Sequence, residues 1–421
     1  MPVFVLVIFV AAYVLFVFLP NKRTFTAVGA SLALILTGAI TLKAAFWAIN
    51  WNVIGIFVGT LIVADIFMES RVPAFIAENI IRRSKNTAWA ILSICLLVGF
   101  ISAFVENVAA VLLVAPVAFS LAKKLKINPT NLIIALAVSS NLQGTATLIG
   151  DPPSMLLGGF AKMNFMDFFF YQGRPSIFFA VELSAFASFW VLYFIFRHHR
   201  EEPVRMEIEP VKSWVPTVIL VTLILALALS SFFDTGFSYL AGLLCVLFGI
   251  ISMIWEKWVN KGSIVKGLKA LDWDTTFFLI GVFILVGSIT ASGWIVRLSD
   301  VLAQAIGENV FLGYSVIVFL AVALSAFIDN VPFLAAMLPV AVALSVKMGI
   351  QPSLLLFGLL IGASVGGNVT PIGASANIVA CGLLKKEGYP VKFKDFVKIG
   401  LPFTLVAVSA ACLFVWIVWS K

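Results

Sequence analysis

Ser102-Ala103-Phe104-Val105-Glu106-Asn107-Val108 opens the stretch that decides the fold, and Gly144-Thr145-Ala146-Thr147-Leu148-Ile149-Gly150-Asp151-Pro152-Pro153-Ser154 closes it. Adding 223 to each number gives a second copy without a gap: Ser325-Ala326-Phe327-Ile328-Asp329-Asn330-Val331, then Gly367-Asn368-Val369-Thr370-Pro371-Ile372-Gly373 and Asn377. Pro116 aligns with Pro339, and 18 of the 53 positions are identical. Leu and Ala matches arise by chance in an apolar chain. Matched Asn, Pro, Gly, Thr and Ser, with a carboxylate set against a carboxylate, point instead to an internal repeat.

Working outward, 62% of the 421 residues are hydrophobic and 11% are charged. That is too little polar surface to cover a soluble globule. Apolar runs of 17 or more residues recur along the whole chain, which predicts an all-α polytopic protein with the lipid bilayer as its solvent. Met1 to Pro20 has neither a basic leader nor a small-residue cleavage site, so it reads as a retained span. A net charge of +8 would suggest nucleic acid for a soluble chain, but here Lys and Arg fall in loops between spans, and no nucleic-acid partner is expected. Cys95, Cys245, Cys381 and Cys412 lie singly in apolar surroundings and read as small buried hydrophobes. His198 and His199 have no further His or nearby Cys to complete a metal site and read as solvated linker.

In order, spans are expected at 2–20, 25–42 and 51–68, before a basic loop with Arg71, Arg82, Arg83 and Lys85. Ala88 to Leu121 is apolar but broken at Glu106-Asn107, with basic residues at both ends; it reads as a re-entrant hairpin of two half-helices with its tip at Val105 to Asn107. The next segment, 129–160, is interrupted by Ser139-Ser140-Asn141 and by the Gly144 to Pro153 run, so the crossing is expected to unwind at its centre. A span at 176–196 closes residues 1–196 as a first repeat, and 197–213 form a charged cytoplasmic linker. Residues 214–421 repeat the pattern, with spans at 214–232, 238–256 and 273–291, a basic loop with Lys257, Lys261, Lys266 and Lys269, a hairpin at Asp329, and a broken crossing at Gly366-Gly367-Asn368. A final span follows Lys385 to Lys398. About ten transmembrane helices plus two re-entrant hairpins result, five crossings and one hairpin per repeat, and the odd number inverts one repeat relative to the other. Of the 28 Lys and Arg, only Lys43, Lys162, Arg174, Arg297, Lys347 and Lys421 then fall outside, which places both termini outside.

Inverted repeats with paired broken helices are the sequence mark of a secondary transporter whose site lies where the repeats meet. Unwound backbone leaves N–H and C=O groups unpaired, at several kcal/mol each in hydrocarbon unless they line a polar cavity. Half-helix N-termini face anions, and free carbonyls with Asn and Thr oxygens suit Na⁺. The candidate residues for substrate and coupling ion are Glu106, Asn107, Asn141, Gly144, Thr145, Thr147 and Asp151 in the first repeat. In the second they are Asp329, Asn330, Gly367, Asn368, Thr370, Ser375 and Asn377. No cofactor is expected, and no metal site beyond a Na⁺ at the hairpin tips; H⁺ or Na⁺ is the expected coupling ion. Glu106 and Asp329, as intramembrane carboxylates at equivalent breaks, are expected to take up that ion on one side and release it on the other.

At these residues the chain resembles the ion transporter superfamily of citrate-transporter-like permeases, which includes arsenite-efflux permeases, NhaD-type Na⁺/H⁺ antiporters, plant silicon-efflux transporters and the P protein of melanosomes. Ser102 to Asn107, Gly144 to Pro153, Ile328-Asp329-Asn330-Val331-Pro332 and Gly366 to Asn377 carry the resemblance, which spans nearly the whole chain and is strongest to the P-protein and silicon-efflux branch. It implies an elevator mechanism in a homodimer. Dicarboxylate members carry Ser-Asn-Thr at both tips, whereas Glu106-Asn107-Val108 and Asp329-Asn330-Val331 stand here, and two fixed negative charges oppose a multivalent anion unless protons or cations neutralise them. The expected function is therefore an H⁺- or Na⁺-coupled secondary transporter, in the plasma (inner) membrane of a prokaryote, for a small inorganic anion, a metalloid oxyacid or a small carboxylate. A Na⁺/H⁺ antiporter and an anion channel are the alternatives. No Ser/His, His/Glu or paired-Asp constellation suggests an enzyme. Asp65, Glu69 and Glu182 read as interfacial or inter-helix contacts, and Trp47, Trp51, Trp273 and Trp416 as interfacial belt.

Overall fold

The computed structural model describes residues 1–19, 22–202, 210–234, 236–259 and 262–421, apart from the side chains at 264, 266 and 270. Pro20 at the end of the first expected span, the middle of the charged linker at 203–209, Lys261 and the Lys266 side chain lie outside the described residues.

Twenty α-helices run through the described residues. The first ten are α1 (Pro2–Phe18), α2 (Arg23–Leu36), α3 (Leu42–Ala48), α4 (Trp51–Glu69), α5 (Val72–Arg83), α6 (Thr87–Ser102), α7 (Asn107–Leu125), α8 (Thr130–Gly144), α9 (Pro152–Ala161) and α10 (Ile177–Phe196). The second ten are α11 (Val215–Ser230), α12 (Leu240–Trp258), α13 (Ile264–Ala270), α14 (Trp273–Ala291), α15 (Trp294–Ile306), α16 (Val310–Ser325), α17 (Asn330–Lys347), α18 (Pro352–Gly366), α19 (Ser375–Lys386) and α20 (Phe393–Trp419). From α3 to α9 each helix meets its counterpart at the offset of 223 to within a residue or two, and α10 and α20 end at that offset although α20 starts at Phe393, well ahead of it. Eight described helices are long and apolar enough to cross a membrane, and five shorter ones are apolar, among them the hairpin arms α6 and α16.

Several boundaries differ from the expected ones. The span expected at 25–42 stops at Leu36, because Gly38 turns the chain at a φ of 70° after the cap residue Thr37. Its 14 residues rise only about 21 Å, short of a bilayer core. The basic loop after α4 is largely helical: α5 carries an apolar stripe through Ala77 and Ile81 and ends on Arg82 and Arg83, which favour a helix C-terminus. Ser139-Ser140-Asn141 do not interrupt their segment. They lie inside α8, because their side chains find partners on neighbouring helices and leave the backbone ladder intact.

Packing between the two sets is reciprocal. α4 packs on α12 and α14 on α2; α7 packs on α19 and α17 on α9; α10 packs on its own counterpart α20. In lipid there is no water to drive helices together, so close contact depends on small residues. Gly55 and Gly59 of α4 face the backbone of Gly242 and Cys245 on α12, Gly281 of α14 faces Ala27 of α2, and Asn52 Oδ1 accepts from Gly242 N at 2.6 Å. A Cβ at Gly59 would overlap the Cys245 main chain, so Gly59→Val is expected to lose at least the 1–3 kcal/mol typical of overpacking, about as much as forced backbone shifts elsewhere. Gly29→Val, where no atom lies within 4 Å, is the control. Equal unfolding midpoints for the two variants in detergent would contradict the close approach.

Candidate functional site

Each hairpin turns on a short coil that its own backbone closes. After α6, Ala103 N donates to Gly99 O at 3.0 Å and Val105 N to Ile101 O at 2.9 Å; after α16, Ala326 N donates to Val322 O and Ile328 N to Leu324 O in the same pattern. The next half-helix then starts on an acidic cap. Glu106 Oε2 accepts from Ala109 N at 3.0 Å, and Asp329 Oδ1 accepts from Val331 N at 3.0 Å. Capping thus accounts for an acidic residue at each tip.

The broken crossings lie beside the tips. α8 ends at Gly144 and α9 restarts at Pro152, with Asp151 as its cap; α18 ends at Gly366, passes through a 3-10 turn at Gly367–Val369, and α19 starts at Ser375. Tip and break are laced together twice over. Ser102 Oγ donates to Ser140 O at 2.9 Å and Thr147 Oγ1 to Ala103 O; Ser325 Oγ donates to Ala363 O and Thr370 Oγ1 to Ala326 O. Gly150 packs against the Gly144 carbonyl and Gly373 against the Gly367 carbonyl, approaches that any Cβ would block.

Between the two breaks runs a buried amide network. Asn107 Nδ2 donates to Asn141 Oδ1 at 3.0 Å, and Asn141 Nδ2 donates to both Asn368 Oδ1 and Asn377 Oδ1 at 2.8 Å. Asn368 Nδ2 returns to Val138 O, and Asn377 Nδ2 to Gly367 O and Thr370 O, each at 3.0 Å. Asn141 spends both amide hydrogens and its oxygen on side chains of three different segments. Its counterpart at the repeat offset is Ser364, whose buried hydroxyl has no partner among the described residues.

A cavity of about 230 Å³ opens in front of this network. Glu106 and Asn107 of one tip, Asn330 of the other, and Pro152 and Ser375 at the two restarted helices all reach it. Arg23, Asp65, Asp272 and Thr275 complete its polar wall. Of the fourteen candidate residues, Glu106, Asn107, Asn330 and Ser375 therefore line the cavity directly. Asn141, Asn368 and Asn377 form the network behind it, and Gly144, Thr145, Thr147, Gly367 and Thr370 belong to the laced breaks. Asp151 is buried behind them, one carboxyl oxygen accepting from Ser154 N at 3.2 Å and the other without a hydrogen-bond partner among the described residues.

Asp329 differs from Glu106. It is ion-paired to Arg23, whose Nη2 also donates to Thr275 Oγ1 at 3.1 Å, whose Nε lies 3.9 Å from Asp274 and whose guanidinium lies 5.0 Å from the centre of the Phe278 ring. No ion pair to Glu106 occurs among the described residues. Asp272 is held as the cap of α14 by Thr275 N at 2.9 Å and Thr275 Oγ1 at 2.6 Å. Arg23, Asp272 and Thr275 escape sequence reasoning because they sit at helix starts, where a loop charge or a cap explains them; Asp65, read as an interfacial contact, proves to be a wall of the cavity. Glu182 does face a neighbouring helix, beside Gln143.

The family model for citrate transporters matches residues 13–362 and again 246–421. An uncharacterized transporter of Mycobacterium tuberculosis is 30% identical over 430 residues, covering 99% of this chain and 98% of its own. The human P protein is 25% identical over 494 residues, covering 97% of this chain and 59% of its own. Among solved structures, the YdaH transporter of Alcanivorax borkumensis aligns with a TM-score of 0.61 at 15% identity, over 92% of this chain and 88% of its own. MtrF of Neisseria gonorrhoeae, one of a class of antimetabolite efflux pumps, aligns at 0.59 and 15% identity, over 92% of this chain and 84% of its own. At that identity the likeness is one of fold.

Proposed function

The chain belongs to the citrate transporter family of membrane transporters, and from that premise we propose that it is an ion-coupled secondary transporter whose site is the cavity between the two hairpin tips. One observation carries the reading: both tips and both restarted half-helices converge on a single cavity, which is where two repeats related by a two-fold axis bring a transported solute. Glu106 is the residue for the coupling ion, H⁺ or Na⁺. The substrate is a small inorganic anion, a metalloid oxyacid or a small carboxylate. Reciprocal packing of α4 on α12 and α14 on α2 supports two-fold repeats, 1–196 and 214–421 around the linker 197–213, and the positive-inside bias supports their inversion with both termini outside. The elevator motion, the homodimer and the prokaryotic plasma membrane rest on the family resemblance.

Charge narrows the chemistry. Asp65, Glu106 and Asp272 line the cavity, and its one guanidinium is already paired with Asp329. A bare anion entering there meets excess negative charge, so it needs an accompanying proton or Na⁺, whereas a neutral oxyacid does not. The same excess favours Na⁺/H⁺ antiport as the second reading. An anion channel fits poorly with a cavity so acidic and with a first tip tied to the second break through a buried amide network.

A thermal-shift panel of arsenite, silicic acid, a small carboxylate, chloride and Na⁺, at several pH values, tests the proposal, since a ligand stabilises the state that binds it. The expected result is one solute whose stabilisation depends on pH or Na⁺. A panel in which neither solute nor cation moves the midpoint contradicts a binding site in this cavity.

A further inference from the structure

We propose that Arg23 is a resident cation: its guanidinium fills a cation site on the second hairpin, built by Asp329, Thr275 and the Phe278 ring, and this leaves Glu106 as the one tip carboxylate free to take a coupling ion. The inference deepens the transporter reading and rests on it for the word coupling. The site itself stands on geometry.

The two tips are equivalent at the repeat offset, and each carboxylate caps its half-helix, Glu106 through Ala109 N and Asp329 through Val331 N, since Pro332 has no N–H to offer. Only one of them touches a cation among the described residues. Arg23 opens α2, and the helix that answers α2, α12, opens at Leu240 and carries no Lys or Arg before Lys257 in its last turn. Arg23 is held from several sides: Asp329 on one amino group, Thr275 Oγ1 at 3.1 Å on the other, Asp274 at 3.9 Å from Nε, and the Phe278 ring with its centre 5.0 Å away. A planar guanidinium suits such a fork and never loses its charge in a protein. Asp329 therefore cannot exchange a proton or Na⁺ unless the chain's own side chain withdraws. Glu106 has the Ala109 N–H and the cavity.

Truncating Arg23 should leave a vacancy shaped for guanidinium. In purified R23A, guanidinium chloride at low millimolar concentration should raise the unfolding midpoint relative to choline chloride, while wild type and R23A/D329N show no such rise. An R23A protein indifferent to guanidinium, or an R23A/D329N protein that responds equally, overturns the proposal. Should R23A fail to fold, R23Q serves: it should gain a stabilisation by Na⁺ over choline that R23Q/D329N lacks, and equal Na⁺ responses in the two overturn the proposal as well. None of these readings uses transport. Retention of gradient-driven flux by E106Q would sink the coupling reading while leaving the guanidinium result untouched, so the two failures are distinguishable.

Discussion

Glu106→Gln is expected to insert and fold like the parent protein yet lose gradient-driven transport, retaining at most substrate exchange. The side-chain oxygen that accepts from Ala109 N survives the substitution, so the start of α7 keeps its cap, a contribution of about 1 kcal/mol. What disappears is the one ionisable group of that tip. An intramembrane carboxylate is costly by a few kcal/mol or more, which makes it a functional candidate by default. Glu106 faces the cavity without an ion-pair partner among the described residues. Accumulation under an imposed H⁺ or Na⁺ gradient in proteoliposomes should fall to simple equilibration. Uphill flux in the variant, with unchanged pH and Na⁺ dependence, contradicts the role. Asp329→Asn is a different experiment, because it releases Arg23 and mixes loss of a carboxylate with exposure of an unpaired guanidinium.

Asn141→Ala is expected to have the largest effect on stability. The residue is 2% exposed, and its loss strands the Asn107 amide hydrogen and the Asn368 and Asn377 carbonyl oxygens inside the protein. Each buried group left without a partner costs about 1–3 kcal/mol, and three such losses approach the whole stability of an ordinary domain. Asn141→Asp is no remedy, since a carboxylate cannot donate to the two carbonyl oxygens. Ser364→Ala, at the equivalent position, should be nearly silent because that hydroxyl bonds nothing among the described residues. Folded yield by size exclusion and the unfolding midpoint measure both. Equal behaviour of the two variants contradicts the bridging role of Asn141.

The fold was legible where a local rule acts alone. Glu106-Asn107 and Asp329-Asn330 interrupt apolar runs, Pro152-Pro153 cannot continue a helix, and the helices start and stop there. Residues 273–291, expected as a span, are α14 itself. Ser139 to Asn141 misled because a polar run looks like a break until tertiary partners are known; α8 stays helical since Ser140 and Asn141 bond across to the first tip and the second break. The site was half legible for the same reason. A repeat finds residues that come in pairs, such as Asn107 with Asn330. It is blind to Arg23, since α12, the counterpart of α2, opens on the apolar Leu240, and to the bridge made by Asn141, whose counterpart is Ser364. The structural asymmetry of the two tips lies in those unpaired positions.

Reconstitution tests the central claim most directly. With the solute that the thermal-shift panel selects, counterflow across proteoliposomes should saturate with concentration and accelerate when the same solute is loaded on the opposite side, and an imposed H⁺ or Na⁺ gradient should drive it uphill in the wild type. An unsaturable single-channel current indifferent to the opposite side would contradict the transporter account.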